Sequence, residues 1–324
     1  MRKIVYTTIL ALTALLACSR AEEGTAPQTI VPLYRMMADF SSMSTAARDS
    51  FMTADSAQIR AMVEVIGGGS PTADQLTRWS QSMPVTIFTP PTDSVFPTLA
   101  PLEDTLGIIL ARAGRESLDL PRRSYAAVVW GNRRSIVING DVVLIALNHY
   151  LGQDYPGYGH WPLYMRIDKK PGRLPYDITE ALVASRYAYD GGTNATVLSR
   201  LIYEGVLAAV KMALVPDAKL TEALGYSEKE LEWLDENQTE IWRQIVGQNL
   251  LYDTSEITAD RLVAPAPATS IISPDTPRRA GRYIGYRIVS EYMRHHSDVT
   301  LQQMLRPDFY TDQAVLIESG YEGK

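Results

Sequence analysis

A carboxylate interrupts an apolar helical stretch of this sequence. The stretch is "RLIYEGVLAAVKMALVP", residues 200–216, and the carboxylate is that of Glu204 in its first turns. A carboxylate on a buried helix costs free energy unless it is paired or performs a chemical task. One interpretation is therefore structural: Glu204 pairs with an arginine from another element, or it reaches the surface near the start of the helix.

A second interpretation comes from the frame "YEGVL" around Glu204. In H-E-x-x-H, the helical motif of zinc metalloproteases, the glutamate is the general base and both histidines bind zinc. The histidine positions are occupied here by Tyr203 and Leu207, and leucine cannot bind zinc. Glu204 then stands where a general base would stand, on a helix without its metal ligands.

The other residues that could bind a metal show no catalytic spacing. The four histidines are His149, His160, His295 and His296, and none forms an H-x-x-x-H or H-x-x-E-H pair. The sequence also lacks G-x-S-x-G, P-loop and G-x-G-x-x-G motifs. We therefore expect no metal and no cofactor. His295 and His296 are expected at a helix end, where they complement the helix dipole.

The N-terminus predicts export and lipidation. A basic "MRK" precedes the apolar run "IVYTTILALTALLA", which is too short to span a membrane and is typical of a signal peptide. The run ends in "LLAC", a lipobox-like pattern that contains Cys18, the only cysteine. We expect residues 1–17 to be removed and Cys18 to be acylated, with palmitate among its chains. Residues 18–29 are mostly small and polar, and predict a tether. The alternative is an ordinary signal peptide with an incidental thiol.

Composition limits the class of partner. The chain has 324 residues, a net charge of −6 and only 31 lysines and arginines, which argues against nucleic acid. A hydrophobic share of 46% is enough for a sizeable core. We expect one globular domain over residues 30–324, with an N-terminal subdomain to about residue 140 and a helical subdomain over 141–324.

Hydrophobic patterning predicts a predominantly helical α+β fold with one small sheet of about four strands, mixed or antiparallel. Its strands are expected at residues 84–90, 124–131, 135–140 and 141–151, with the second and third forming a hairpin.

Local sequence signals predict several helix boundaries and one close helix contact. Thr72 is an expected N-cap, and Ser227 with Glu230 forms a capping-box pattern. Asp177 with Glu180 predicts a further helix start. In "RRAGRYIGYRIVSEYM" two glycines, four residues apart at 281 and 285, predict a helix that another element can approach closely.

Several long stretches of the second half resemble a known family. They are "IALNHYLGQDYPGY", "LIYEGVLAAVKMALVPD", "LGYSEKELEWLDENQTEIWRQIVGQNLLYDT", "PAPATSIISPDTPRRAGRYIGYRIVSEYM" and "LIESGYEGK". With the lipobox, they resemble the gliding motility lipoproteins of the GldB type. The resemblance implies a component of an envelope motility machinery. It also implies a zincin-like body, a likeness of fold that does not carry function.

Two functional interpretations remain open. The first is a non-catalytic, lipid-anchored component of an envelope machine, held at the periplasmic side of the outer membrane and bound to envelope or motility proteins. Its cleft or interface would use six residues: Tyr203, Arg278, Arg279, Arg282, Tyr283 and Tyr286. The second is an atypical metal-dependent hydrolase of peptide or cell-wall substrates that uses Glu204. Ligands that converge near Glu204 in space would distinguish the two.

Overall fold

The computed structural model describes residues 26–324, in which helices dominate. The α-helices in this part of the chain are α1 Leu33–Ala38, α2 Thr45–Ala54, α3 Ser56–Val65, α4 Ala73–Ser80, α5 Met83–Val95, α6 Ala100–Arg115, α7 Leu163–Arg166, α8 Leu174–Arg186, α9 Val197–Leu214, α10 Leu220–Leu224, α11 Glu228–Gly247, α12 Glu256–Val263, α13 Ala280–His295, α14 Leu301–Met304, α15 Pro307–Tyr310 and α16 Ala314–Ser319.

The sheet found in residues 26–324 has four strands and is mixed. The strands are β1 Ile30–Val31, β2 Ser124–Val128, β3 Ile136–Asn139 and β4 Val142–Ala146. Their spatial order is β1-β2-β4-β3; β2 is parallel to both β1 and β4, and β3 is antiparallel to β4. This confirms the predicted α+β class, mainly helical with one small sheet.

Two details of the predicted sheet are wrong. The hairpin joins β3 to β4 rather than β2 to β3, because a tight turn at Gly140, with φ of +55°, connects β3 directly to β4. Residues 84–90, predicted as a strand, lie in α5. Asp93 of α5 accepts hydrogen bonds from Tyr34 and Arg35 of α1, at 3.0 and 2.6 Å. These tertiary contacts override the β-forming composition. The strand that the sequence did not predict is β1. With two residues, it is too short to show the alternation of apolar and polar residues by which strands are recognised.

Side-chain caps explain several of the helix starts. Thr72 is the N-cap of α4 and Ser227 closes a capping box with Glu230 at the start of α11, as predicted; Thr72 also forms a capping box, with Gln75. The start expected at Asp177 is wrong, because α8 begins three residues earlier. Asp177 instead accepts a hydrogen bond from Nε of Arg173 at 2.7 Å.

The apolar core lies on both faces of the sheet and around α9. Alternate residues of β2 point to opposite faces, so Ala126 and Val128 pack with α1 to α4 while Tyr125 and Ala127 pack with α5, α6 and α8. A larger helical cluster surrounds α9, which is buried along most of its length. Among the described residues no single helix is long and apolar enough to cross a bilayer; α5 and α6 pass that test only together, by length and composition, with a 77° bend between them.

The contact between α9 and α13 is made by backbone. A Cβ added to Gly285 would overlap the carbonyl oxygen of Leu201, and one added to Gly205 would overlap the backbone of Gly285. A Cβ on Gly281 would stand 2.7 Å from a side-chain carbon of Leu201. The close approach predicted from Gly281 and Gly285 is therefore confirmed.

The predicted signal peptide and Cys18 lie outside the described residues. The last part of the predicted tether is described, and it packs on α6. Gln28 donates a backbone hydrogen bond to the carbonyl of Glu103 at 3.0 Å, and Ala26 lies against Gly107. The body therefore begins a few residues earlier than residue 30.

Candidate functional site

Glu204 lies inside the fold, where arginines hold both of its oxygens. Only 4% of the residue is exposed. Its Oε1 accepts from Nε of Arg200, one turn earlier on α9, at 3.0 Å. Its Oε2 is 2.9 Å from Nε of Arg282 on α13. The structure thus contains the ion pair with an arginine from another element that the sequence suggested.

Arg282 extends this pair into a chain of charges across three helices. Its Nη2 is 3.3 Å from Oε1 of Glu180 on α8, and Oε2 of Glu180 accepts from Nζ of Lys211 on α9 at 2.6 Å. Burial alone opposes the charge on Arg282, but Glu204 and Glu180 raise its pKa above the ordinary value. Likewise, Lys211 and Arg282 outweigh burial and hold the pKa of Glu180 well below its usual range. We call Arg200, Glu204, Arg282, Glu180 and Lys211 the Glu204 cluster.

A second group of ion pairs surrounds the start of α13. Arg278 binds both oxygens of Asp168, at 2.9 and 3.0 Å, and donates to the carbonyl of Gly225 at 2.5 Å. Arg279, whose φ of +58° is left-handed, adds a contact to Asp168 at 3.3 Å. Although burial raises the pKa of Asp168, Arg278 with the neighbouring Arg173 and Arg279 lowers it below the usual value. These pairs attach the segment between α7 and α8 to the start of α13.

The predicted cleft residues are brought together only in part. Arg278, Arg279 and Arg282 join the ion pairs around α13. Tyr203 is buried and donates its hydroxyl hydrogen to the carbonyl of Tyr187 at 2.9 Å. Tyr283 is also buried, and its hydroxyl donates to Asp235 of α11 at 2.6 Å. Tyr286 is partly buried against the helical core. Arg278 and Tyr283 in particular have almost no exposed surface.

This arrangement does not fit a metal centre at Glu204. Tyr203 and Leu207, at the two ligand positions of the frame, are each 4% exposed and belong to the helical core. In residues 26–324, no group of three or more His, Cys, Asp or Glu side chains could hold a metal ion. A general base also needs an oxygen free to face its substrate. Both oxygens of Glu204 face guanidinium groups instead.

Sequence reasoning missed Lys211 and Arg200 as partners in this site. The signal was present, because Arg200, Glu204 and Lys211 are four and seven residues apart and so share one face of a helix. Lys211 also stands in an apolar run and is 2% exposed, which is the same anomaly that drew attention to Glu204. For Glu180 the sequence pattern indicates only a capping role.

The histidines occupy other parts of the fold. His295 ends α13 and His296 caps it, as predicted, with Nε2 of His296 3.6 Å from Glu318. His149 is buried beside β4, and His160 is exposed in the loop that follows.

Fold and site together define a mainly helical α+β protein whose central helix pair is fixed by buried ion pairs. The chain matches the family model described as gliding motility protein GldB over residues 21–323. It therefore belongs to this family of gliding motility lipoproteins. The searches of curated proteins and of solved structures return no match to the chain. The zincin-like character of the fold stays a prediction.

Proposed function

We propose that this protein is a lipid-anchored, non-catalytic component of the gliding motility machinery in the cell envelope. The observation that carries the non-catalytic role is the pairing of both Glu204 oxygens with arginines. A carboxylate held in this way fixes the position of α13 on α9 and has no oxygen left for a substrate. Family membership supports the link to motility.

The anchor is proposed from the sequence around Cys18. An acylated Cys18 attaches the single body, which begins near Ala26, to the membrane by a short tether. We propose that this membrane is the outer membrane and that the body lies on its periplasmic side, where it would meet envelope or motility proteins. The proposed task of the body is to present a fixed surface to such a partner.

Internal rigidity suits this scaffold role. α8, α9 and α13 are joined by charged pairs from which water is largely excluded, and α9 and α13 also touch through backbone. Separating the partners of a buried ion pair would leave a charge unpaired in these surroundings, which is strongly destabilising. The three helices therefore resist separation.

The decisive test replaces the paired charges with apolar residues of similar size. A buried ion pair can often be exchanged for apolar side chains at little cost in stability. We expect the variant Arg200→Leu, Glu204→Met and Arg282→Met, expressed in a deletion strain of the source organism, to restore motility when folded protein is present at the wild-type level. A folded variant that fails to restore motility would show that the carboxylate has a chemical task.

Two further measurements address the metal and the anchor. Elemental analysis of the protein, purified without added metals or chelators, should show no stoichiometric metal; about one zinc per chain would favour the hydrolase. Cys18→Ala should move the protein from the membrane fraction to the soluble fraction, with Cys18→Ser as a second variant. Unchanged fractionation of both variants would disprove the lipid anchor.

A further inference from the structure

A pocket apart from the Glu204 cluster lies between α5, the end of β2 and the loop before α7. Its volume is about 490 Å³, and its wall includes Phe88, Trp130, Arg133, Tyr158, Trp161 and Lys169. We call it the Trp161 pocket. A pocket of this size matches a small-molecule ligand.

The charges that line the Trp161 pocket have one sign. Among the described residues, its wall contains the cations Arg133 and Lys169, together with His149 and His160, and no Asp or Glu. The whole chain, in contrast, has 37 acidic against 31 basic residues. An anion entering this pocket would therefore meet cations and no repelling carboxylate.

Lys169 is the partly buried cation of the pocket, and it has no counter-ion of its own. Its Nζ donates to Oγ of Ser135 at 2.6 Å, and within residues 26–324 it forms no ion pair with a carboxylate. The two carboxylates that act on it electrostatically, Asp168 and Asp177, are held by Arg278 and Arg173. Burial lowers the pKa of Lys169, and a bound anion would raise it again because it stabilises the charged form.

A hydrogen-bond chain fixes Lys169 in place. Oγ of Ser135 is 3.1 Å from Nδ1 of His149. Burial, reinforced by Lys169, lowers the pKa of His149 to about 3, so the ring is neutral at neutral pH. Ser135 can then accept from Lys169 and donate to His149. An ammonium group has three donors, so two remain for a ligand.

Much of the remaining wall is aromatic or apolar, and large apolar side chains are exposed beside it. Tyr158 and Trp161 stack with ring centres 4.9 Å apart. Large apolar side chains that are exposed in the described part of the chain include four on the segments flanking the pocket: Met83, Ile87, Leu163 and Met165. Met165 itself lines the pocket. Exposed apolar side chains next to a pocket are typical of a binding site.

We propose that the Trp161 pocket binds a single-chain amphiphile with a carboxylate head group, such as a fatty acid. The carboxylate lies at Lys169, where two ammonium hydrogens are available. The acyl chain of the ligand lies along Trp161 and leaves the pocket past Met165, over the exposed apolar side chains. One partly buried lysine and a pocket of about 490 Å³ favour one carboxylate and one acyl chain over a two-chain phospholipid. This assignment goes beyond the scaffold role and does not depend on it.

The test measures binding of decanoate to the full chain held in nanodiscs of zwitterionic lipid, by equilibrium dialysis against empty discs. We expect saturable binding of one decanoate per chain. Lys169→Gln should weaken it at least about tenfold, because a charge-assisted hydrogen bond is lost. Lys229→Gln, on the exposed face of α11, is the matched control and should bind as the wild type does.

A second pair of variants avoids any dependence on substituting Lys169. Met165→Glu adds a carboxylate to the exposed rim and should weaken decanoate binding, whereas the neutral Met165→Gln should weaken it less. Decanol, which lacks the charge, and acetate, which lacks the chain, should both bind at least about tenfold more weakly than decanoate. Equal binding of decanol and decanoate, equal binding to both Met165 variants, or binding of phosphatidylglycerol in place of decanoate would overturn the proposal.

Discussion

Gly285 of α13 lies against Leu201 of α9 with no space for a side chain between them, since a Cβ on Gly285 would overlap the Leu201 carbonyl oxygen. The Glu204 to Arg282 pair, at 2.9 Å, lies within one turn of this contact on both helices. Backbone packing and charge pairing therefore act at the same place. The helix spacing set by the glycines brings Arg282 within reach of Glu204.

The glycine contact predicts a strong effect of a single methyl group. Gly285→Ala should destabilise the protein by about 1–3 kcal/mol or more, because α13 must move away from α9. Gly114→Ala is the matched control, as Gly114 is also helical but has open space around it. That control should be neutral or slightly stabilising, since alanine favours helix. Urea denaturation of both variants gives the comparison, and equal midpoints would refute the contact.

Removal of the charge on Glu204 should be costly. Glu204→Gln leaves Arg200 and Arg282 without a carboxylate at this point, and we expect a loss of about 3–5 kcal/mol in the free energy of unfolding. Glu240→Gln, which removes a carboxylate from an exposed pair with Arg243, should leave the melting temperature unchanged. A stable Glu204→Gln protein would contradict the structural role of the carboxylate.

Arg278 should not tolerate replacement by lysine. Arg278→Lys loses the two-point contact with Asp168 and the bond to the Gly225 carbonyl, and we expect a loss of about 1.5–3 kcal/mol. Arg306→Lys is a close control, because Arg306 also binds both oxygens of a carboxylate, that of Asp308, but in an exposed position. Thermal unfolding should separate the two variants clearly. If both melt alike, burial is not what makes the Arg278 pair important.

His149 predicts a loss of stability in mild acid. Its pKa is lowered to about 3 in the folded protein, so between this value and about 6.5 the unfolded chain binds the proton and the folded chain does not. Stability must then fall as the pH falls below about 6.5, by about 2 kcal/mol between pH 7 and pH 5. Urea midpoints over this range should show the slope, and His149→Asn should reduce it.

A matched histidine tests the same assignment. His160→Asn removes an exposed histidine from the neighbouring loop and should leave the slope with pH as in the wild type. If the dependence of stability on pH persists in His149→Asn and disappears in His160→Asn, the assignment of the effect to His149 is wrong.

Features set by neighbouring residues could be predicted from the sequence, whereas pairing across long distances could not. The capping boxes at Thr72 and Ser227 depend on four consecutive residues each, and the structure has both. The small sheet was predicted, but strand order depends on contacts that no local pattern encodes. The composition of residues 84–90 favours a strand, yet these residues are helical in α5, which α1 contacts through Asp93.

The candidate site shows the same division. Glu204 could be singled out because a charge in an apolar helix is anomalous on its own. Its partner Arg282 lies 78 positions further along the chain, so only the fold identifies it. The Asp177 helix start failed for a related reason: its carboxylate is engaged by Arg173, which a capping pattern does not anticipate.

The way the chain enters the described fold has a mechanical consequence. β1 is two residues long and pairs with β2. Glu103 also holds this part of the chain, because it accepts from Gln28 before β1 and from Ile30 in β1, at 3.0 and 2.8 Å. Tension applied to the preceding residues reaches the body through these few hydrogen bonds before it reaches α9 and α13. Under load, β1 would detach first and add its residues to the extended segment, while the helical body kept its shape.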